Sequence, residues 1–592
     1  MTMQAGSVND SMAALTKRAA DRYGDRVAAR YKRGDEWDEI TYAELWERVR
    51  AVALGLVDLG VEIGDRVCIL VNTRLEFTVV DLAAATAGAI VVPVYPTNSA
   101  DECEWVVGNS GATLIFCENE SQVAKIDEVR SQLPELRHVV VIDGHPEGTM
   151  TLDEVAARGS GGDASELDRR AAAVNPDDAC LIIYTSGTTG RPKGVVLTNK
   201  GFAFGRRSAV DVEIFGDGDV VYLFLPLAHV FAQLIQADCI EVGATIAFWG
   251  GDATQIVPEL GIVKPTVLPS VPRIFEKVYA LAMGMVPPGD EDKVAQAVQL
   301  GLAVRRARRA GQDVPEEQAA AFEKIDGEMF ALIRGIFGGN VQLAISGAAP
   351  IASEILEFFY AAGVPVFEGW GMTETTSLGT LNLPDAFRFG TIGRPIEGVD
   401  VRIAEDGEIE IAGGIVMREY WRNPEATADT MTEDGYLRTG DLGSIDDEGF
   451  VSITGRKKDI IITAGGKNLT PANLEGDLRR SRWISQAVMF GDRKPYPVAV
   501  ITLDPEEIGP WAQSKGLPTD IAELSETTEL NELIQGELDA VNSQYAKVEQ
   551  IKRFKVLDHD FSVETGELTP SLKLKRNVVY DRFSQAFEDL YA

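Results

Sequence analysis

Cysteine and histidine are scarce in this chain, at five and four among 592 residues. Cys68, Cys103, Cys117, Cys180 and Cys239 stand singly with no paired spacing. That excludes a disulfide framework and a zinc-ribbon site, and it fits a reducing compartment. His138, His145, His229 and His559 are too dispersed to ligate one metal. No apolar run approaches the length of a membrane span. The segment from Met1 to Arg30 is polar, with a helical pattern, and lacks the apolar core of a secretory signal. A cytoplasmic protein is the expectation.

Positive charge is the other deficit. Lysine and arginine number 56 against 91 aspartate and glutamate, a net charge of −35. A surface of that sign repels nucleic acid and anionic lipid, so no nucleic-acid partner is expected. Any polyanionic ligand must meet a local group of cations and backbone donors that overrides the global field. Hydrophobic residues make up 45% of the chain, enough to build large cores and to exclude wholesale disorder. The length calls for about two to four domains.

The first third alternates helix and strand signals. Thr41 and Glu44 have capping-box spacing ahead of Leu45, Val49, Val52 and Leu56, which share one helix face. Short apolar runs follow at Val67 to Val71, Val91 to Tyr95, Thr113 to Phe116, Val139 to Ile142 and Leu181 to Tyr184, with helical patterns between several of them. This rhythm predicts layered α/β architecture with substantial parallel sheet. From Ala282 to Phe337 the pattern is helical and charge-rich. From Thr391 to Ile453 it changes to short strands with many glycines, a small β subdomain. A compact α+β tail follows Gly455 to Asp459.

The strand ending at Tyr184 runs into Thr185, Ser186, Gly187, Thr188, Thr189, Gly190, Arg191, Pro192, Lys193 and Gly194. Glycines let a backbone approach its ligand closely, and hydroxyls, amide N–H groups and Lys193 can converge on phosphate oxygens. Gly190 is followed by Arg-Pro, so the spacing is not that of a Walker A loop. The segment resembles the signature of the adenylate-forming superfamily, which includes acyl-CoA synthetases, luciferases and peptide-synthetase adenylation domains. Further segments resemble that family's motifs in family order: Ser346 to Pro350, Glu368 to Glu374, Tyr436 to Asp441, Gly455 to Asp459 and Gly566 to Arg576.

The resemblance implies a large N-terminal adenylation domain of layered α/β sheets with a small β subdomain (1–456), then a small mobile α+β C-terminal domain (457–592). It implies ATP, Mg²⁺ and coenzyme A as cofactor or co-substrates. Thr185, Ser186, Gly187, Thr188, Thr189, Gly190 and Lys193 would hold the phosphates. Gly347, Ala348 and Ala349 would form the adenine-side turn. Glu368, Gly369, Trp370, Gly371 and Met372 would form the nucleotide motif, with the Trp370 ring beside adenine or, on the plainer reading, in the core. Thr373 would donate to the α-phosphate and Glu374 would carry the metal. Asp441 would accept the ribose hydroxyls, and Arg456 would donate to ribose or phosphate. Lys573 would be the catalytic lysine, although relatives commonly have glycine where Leu572 precedes it; Lys575 is the fallback. Lys458 would be the hinge.

Leu225 to Phe231 resembles the acyl-side motif of fatty-acid ligases. Near Val230 it lacks the aspartate that amino-acid adenylation domains use to pair an ammonium, and burying that group unpaired is costly. His229, Val230 and Val271 are expected in the acyl pocket, with His229 equally readable as a hydrogen-bonded structural residue. Lys264 to Lys277 and the helical insert resemble the long-chain fatty acid–CoA ligase subgroup. The expected activity joins a long-chain fatty acid to CoA through an acyl-adenylate; the alternative passes the acyl group to a carrier protein. Arg305, Arg306, Arg308 and Arg309 read first as a solvated helix face, and second as a contact for anionic lipid at the inner membrane face.

Overall fold

Helix starts follow from local chemistry. The Thr41 side chain accepts from the Glu44 amide while Glu44 accepts from the Thr41 amide, opening the helix Tyr42–Asp58 as expected. Ser99 with Glu102 and Thr151 with Glu154 repeat the device ahead of Ala100–Ser110 and Leu152–Gly159. Leu45, Val49, Val52 and Leu56 are buried, so the predicted face is the core face. The computed structural model describes residues 10–592 apart from 186–190, 288, 465–466, 563–564 and 570–572.

The short apolar runs become the interior of two large sheets. In the eight-stranded sheet, Ala179–Thr185, Ile90–Pro93, Arg66–Leu70, Leu114–Cys117, His138–Val141 and Met150–Thr151 lie parallel in that order. Such strands are covered on both faces, which is why they read as continuous hydrophobic runs rather than alternating ones. Lys193–Thr198 returns antiparallel to Ala179–Thr185, and Glu419–Tyr420 adds an antiparallel edge. The nine-stranded sheet has a parallel centre: Val366–Trp370, Leu343–Ser346, Val267–Ser270, Val220–Leu223, Thr245–Phe248 and Val27–Arg33. The expected α/β class is therefore the fold.

The predicted β region contains a four-stranded sheet of Val399–Ile403, Glu408–Gly413, Leu437–Ile445 and Val451–Arg456. One piece departs from it. Glu419–Tyr420 pairs with Val196 and Val195 in the eight-stranded sheet instead. The helical insert is also present as Pro272–Gly284, Glu291–Arg309, Glu316–Ile325 and Ala331–Ile336. Its arginines are paired with acids: Arg305 with Asp326, Arg306 with Glu357, Arg308 with Glu323 and Arg309 with Asp385. Among the described residues no helix is long and apolar enough to cross a membrane. All five cysteines are buried and free.

The chain divides into two compact units. The first runs to Ala348 and takes in Ser353–Val401 and Ile411–Leu437; the second comprises Ala349–Ala352, Arg402–Glu410 and Arg438–Ala592. In the second, Ile484–Phe490 and Val498–Leu503 pair antiparallel, and Arg553–Val556 joins in parallel. Leu474, Leu478, Ile501, Ile534 and Leu538 fill one core under this sheet. Beneath the segment following Lys573 lies a buried ion pair: both terminal nitrogens of Arg576 donate to Glu475, each at 2.6 Å. Burial opposes the Arg576 charge, but the Glu475 carboxylate outweighs it and holds the guanidinium protonated. Breaking a buried pair from one side costs about 3–5 kcal/mol because the other charge is left stranded. Glu475→Ala should therefore shift the urea midpoint of this unit sharply downward, measured by far-ultraviolet circular dichroism of the full chain.

Candidate active site

Four neighbouring parallel strands deliver their carboxyl ends to one edge of the nine-stranded sheet. Val220–Leu223 leads into Leu225 to Phe231, Val267–Ser270 into Val271, Leu343–Ser346 into Gly347, and Val366–Trp370 into Met372 to Glu374. The register places Ser270 beside Ser346 and Ser346 beside Glu368. Ligands bind at such edges, because the loops there diverge and leave a crevice. The segments expected on the acyl and adenine sides meet: the Phe231 ring lies 3.7 Å from where a side chain on Gly347 would begin. Ala348 follows with a left-handed φ of 71°.

Glu374 lies in a short helical turn, Thr373–Thr375, and both residues are buried, at 6% and 7% exposure for Thr373 and Glu374. Two consecutive left-handed residues, Thr376 and Ser377, turn the chain sharply after it. Strain of this kind persists only where surroundings over-determine it. Here the Thr376 hydroxyl donates to the Ile415 carbonyl at 2.7 Å, and the Met417 amide donates to the Glu374 carbonyl at 2.7 Å. Gly371 is held against this turn: a Cβ there would lie 2.2 Å from the Ser377 carbonyl oxygen. Trp370 is half-buried, with one edge of its benzene ring over Gly379, a position with no room for a side chain.

The Glu374 side chain accepts a hydrogen bond from the Tyr420 hydroxyl at 2.7 Å. Burial, then the neighbouring Glu374 charge, push the phenol well above its ordinary range, so it stays protonated and donates. The face of the same ring carries the Lys193 ammonium at 4.8 Å. Thr185 and Lys193 are register partners on either side of residues 186–190, the expected phosphate loop. Ser186, Gly187, Thr188, Thr189 and Gly190 lie outside the described residues. The far arm of that loop is fastened by Trp105, whose indole N–H donates to the Pro192 carbonyl at 2.8 Å while Arg191 stacks 4.6 Å over its ring. Tyr420 and Trp105 carry no sequence pattern that announces them.

The acyl-side residues divide. His229 caps the helix Val230–Val242, its Nδ1 accepting from the Phe231 amide at 3.2 Å. That ties the ring to helix initiation and puts any remaining ring proton on Nε2. Val230 is fully buried, and Val271 is half-buried at the sheet edge.

In the second unit Asp441 and Arg456 are cross-strand partners, joined by an ion pair at 3.1 Å. Asp441 is nearly enclosed, while the Arg456 side chain is 60% exposed. Ala349 is exposed in this unit. Lys458 is exposed in the turn immediately after Val451–Arg456, between two fastened neighbours. Lys457 reaches Asp406 at 2.5 Å and Glu408 at 2.8 Å, and these two acids hold its ammonium above its ordinary range. Asp459 lies 4.0 Å from Arg576. The Lys573 backbone is clasped by Thr569, whose amide donates to the Lys573 carbonyl at 2.7 Å and whose hydroxyl accepts from the Lys573 amide at 2.9 Å. Glu475 and Arg576 thus set the base of the lysine segment, and neither was evident from spacing.

Residues 16–421 match the AMP-binding enzyme family, and residues 458–592 match the AMP-binding enzyme C-terminal domain. The chain is 38% identical over 563 residues to long-chain-fatty-acid–CoA ligase FadD15 of Mycobacterium bovis, covering 94% of this chain and 92% of that protein. It is 32% identical to long-chain-fatty-acid–CoA ligase ACSBG2 of Xenopus laevis, covering 98% and 83%. Among solved structures it resembles ATP-bound MatB of Rhodopseudomonas palustris, at 26% identity and a TM-score of 0.71, covering 97% and 99%. The fold is also that of the A domain of a carboxylic acid reductase from Segniliparus rugosus, at 21% identity and a TM-score of 0.77, covering 100% and 95%.

The crowding at Gly371 has a simple control. Gly476 lies in the helix Pro471–Leu478 with open space where a Cβ would go. Gly371→Ala should lower the melting temperature and displace the Glu374 turn. Gly476→Ala should raise stability by about 0.5–1 kcal/mol. Paired thermal melts of the two variants check both signs.

Proposed function

Because the chain belongs to the AMP-binding enzyme family, in its long-chain fatty acid–CoA ligase subgroup, we propose that it condenses a long-chain fatty acid with coenzyme A at the expense of ATP. The observation that carries the reading is the meeting, at one sheet edge, of the acyl-side segment, the Gly347 turn and the buried Glu374. The relatives named long-chain-fatty-acid–CoA ligase support the acyl class and the CoA acceptor.

In the first step a carboxylate oxygen attacks the α-phosphorus of ATP. A new O–P bond forms, the α–β anhydride breaks, and pyrophosphate leaves. In the second, the thiol sulfur of CoA attacks the acyl carbonyl, loses its proton, and expels AMP. The opening step joins two anions, and two unit charges in contact repel by about 4 kcal/mol near a protein surface. Fixed donors and cations must offset that repulsion where charge builds up. In this reading Lys193, Thr185 and the loop 186–190 hold the β and γ phosphates. Thr373 donates to the α-phosphate. Trp370 and the turn Gly347, Ala348 and Ala349 flank the adenine, with Glu368, Gly369, Gly371 and Met372 shaping that wall. Asp441 takes the ribose hydroxyls with Arg456 beside it, and Lys573 stabilises the reacting carboxylate and bridging oxygen.

Among the described residues no group of three or more His, Cys, Asp and Glu is placed to hold a metal by protein ligands alone. A single buried carboxylate, Glu374, suits Mg²⁺, which takes one or two carboxylates along with substrate phosphates and keeps several waters. When bound, that ion would neutralise phosphate charge. His229, Val230 and Val271 border the acyl side, and each methylene buried there contributes about 0.8 kcal/mol.

Lys573 and the CoA thiol need the same ground at different times, so the reading includes rotation of residues 457–592 about Lys458. Support comes from its setting. Lys458 is exposed in the turn closed by the Asp459 amide on the Arg456 carbonyl, immediately after the strand Val451–Arg456, and hinges absorb backbone changes at such element-terminal positions.

Three outcomes test the proposal. Fatty acid with Mg²⁺ should elicit exchange of labelled pyrophosphate into ATP; no exchange from folded protein removes the assignment. Lys573→Ala should lower that exchange by about a hundredfold or more while largely sparing thioester formation from supplied acyl-AMP; Lys458→Pro should show the reverse bias. Across a series of acids, KM should fall by up to about fourfold per methylene until the pocket is filled, as read from CoA-dependent AMP production.

A further inference from the structure

Tyr420 links two parts of the site that the motifs leave separate. It is 6% exposed and sits on a two-residue strand, register-paired with Val195, two residues beyond Lys193. Its hydroxyl donates to Glu374 Oε1 at 2.7 Å. Its amide donates to the Thr427 hydroxyl at 2.9 Å. Its ring face lies beneath the Lys193 ammonium at 4.8 Å. A buried tyrosine needs some hydrogen-bond partner, and a backbone carbonyl would serve a purely structural role. This one instead spends its only donor on the carboxylate of the nucleotide motif and its π face on the lysine of the phosphate hairpin.

Resting on the ligase reading, we propose that Tyr420 is a positioning residue that fixes Glu374 and Lys193 relative to one another. The hydroxyl occupies one carboxylate oxygen of Glu374 and leaves the other for the metal–phosphate ligand. The ring seats the lysine side chain by a cation–π contact without consuming any of its three N–H donors, which remain for phosphate oxygens. The two contacts are separable by chemistry: phenylalanine keeps the ring and removes the hydroxyl, whereas leucine removes both.

The test uses the full chain and Mn²⁺ as a spectroscopic substitute for Mg²⁺. Mn²⁺ affinity in the presence of ATP is read by electron paramagnetic resonance, and metal-free ATP affinity by calorimetry in EDTA. Tyr420→Phe should weaken Mn²⁺ by about tenfold, the range of a hydrogen bond to a charged group, and leave metal-free ATP binding unchanged. Tyr420→Leu should weaken both. The Mn²⁺ affinity of Tyr420→Leu, which also lacks the hydroxyl, serves if the Phe variant fails to fold. Wild-type Mn²⁺ affinity in Tyr420→Phe, or in Tyr420→Leu if that variant alone folds, overturns the proposal, even if the melting temperature drops. Equal loss of metal-free ATP binding in the Phe and Leu variants overturns it too. Failure of the unaltered protein to bind ATP at all would instead remove the ligase reading beneath it.

Discussion

The parallel ladder linking Ser270, Ser346 and Glu368 fixes where the segments following these strands emerge. The strands in it are short, so most of the candidate side chains lie at their carboxyl ends or in the segments that follow. What the ladder supplies is alignment: strands in register release their following segments at the same level. The adenine-side turn, the acyl-side segment and the Glu374 turn therefore converge without contacting one another extensively in sequence. Crowding then limits their freedom. Gly347 faces Phe231 across two segments, while Gly371 faces Ser377 and Trp370 covers Gly379 within the segment that carries Glu374.

A strongly acidic chain that handles anions cannot rely on its overall field. Its useful cations are held one at a time by local partners. Lys193 rests on Tyr420, Arg456 is paired with Asp441, and Arg576 is paired with Glu475 beneath the lysine segment. The arginines of the helical insert are likewise taken up by neighbouring acids. Exposure separates these groups by what they can still do: Arg456 is largely solvent-facing and can reach a ligand, whereas Arg576 is enclosed and serves as a fixed support.

Much of the fold was legible because burial on both faces writes itself as unbroken apolar runs, and because capping boxes have fixed spacing. Thr41 and Glu44 illustrate the second, Leu114–Cys117 the first. The candidate residues were legible through motif resemblance rather than periodicity. What was missed has a common cause. Tyr420 lies on a strand too short to show alternation, and its partners are distant in sequence. Glu475 and Arg576 are separated by much of the second unit. His229 was ambiguous in sequence because a lone imidazole next to a helix start suits a cap and a pocket equally; the bond to the Phe231 amide resolves the cap.

The five enclosed cysteines bear on the choice of a thiol as acceptor. Burial pushes Cys68, Cys103 and Cys180 up to about 12 and raises Cys117 and Cys239 as well. Thiol–disulfide exchange proceeds through an accessible thiolate, which none of these side chains offers near neutrality. A protein that repeatedly admits a reactive sulfhydryl, and meets its oxidised forms, is thereby protected from forming mixed disulfides with its own substrate.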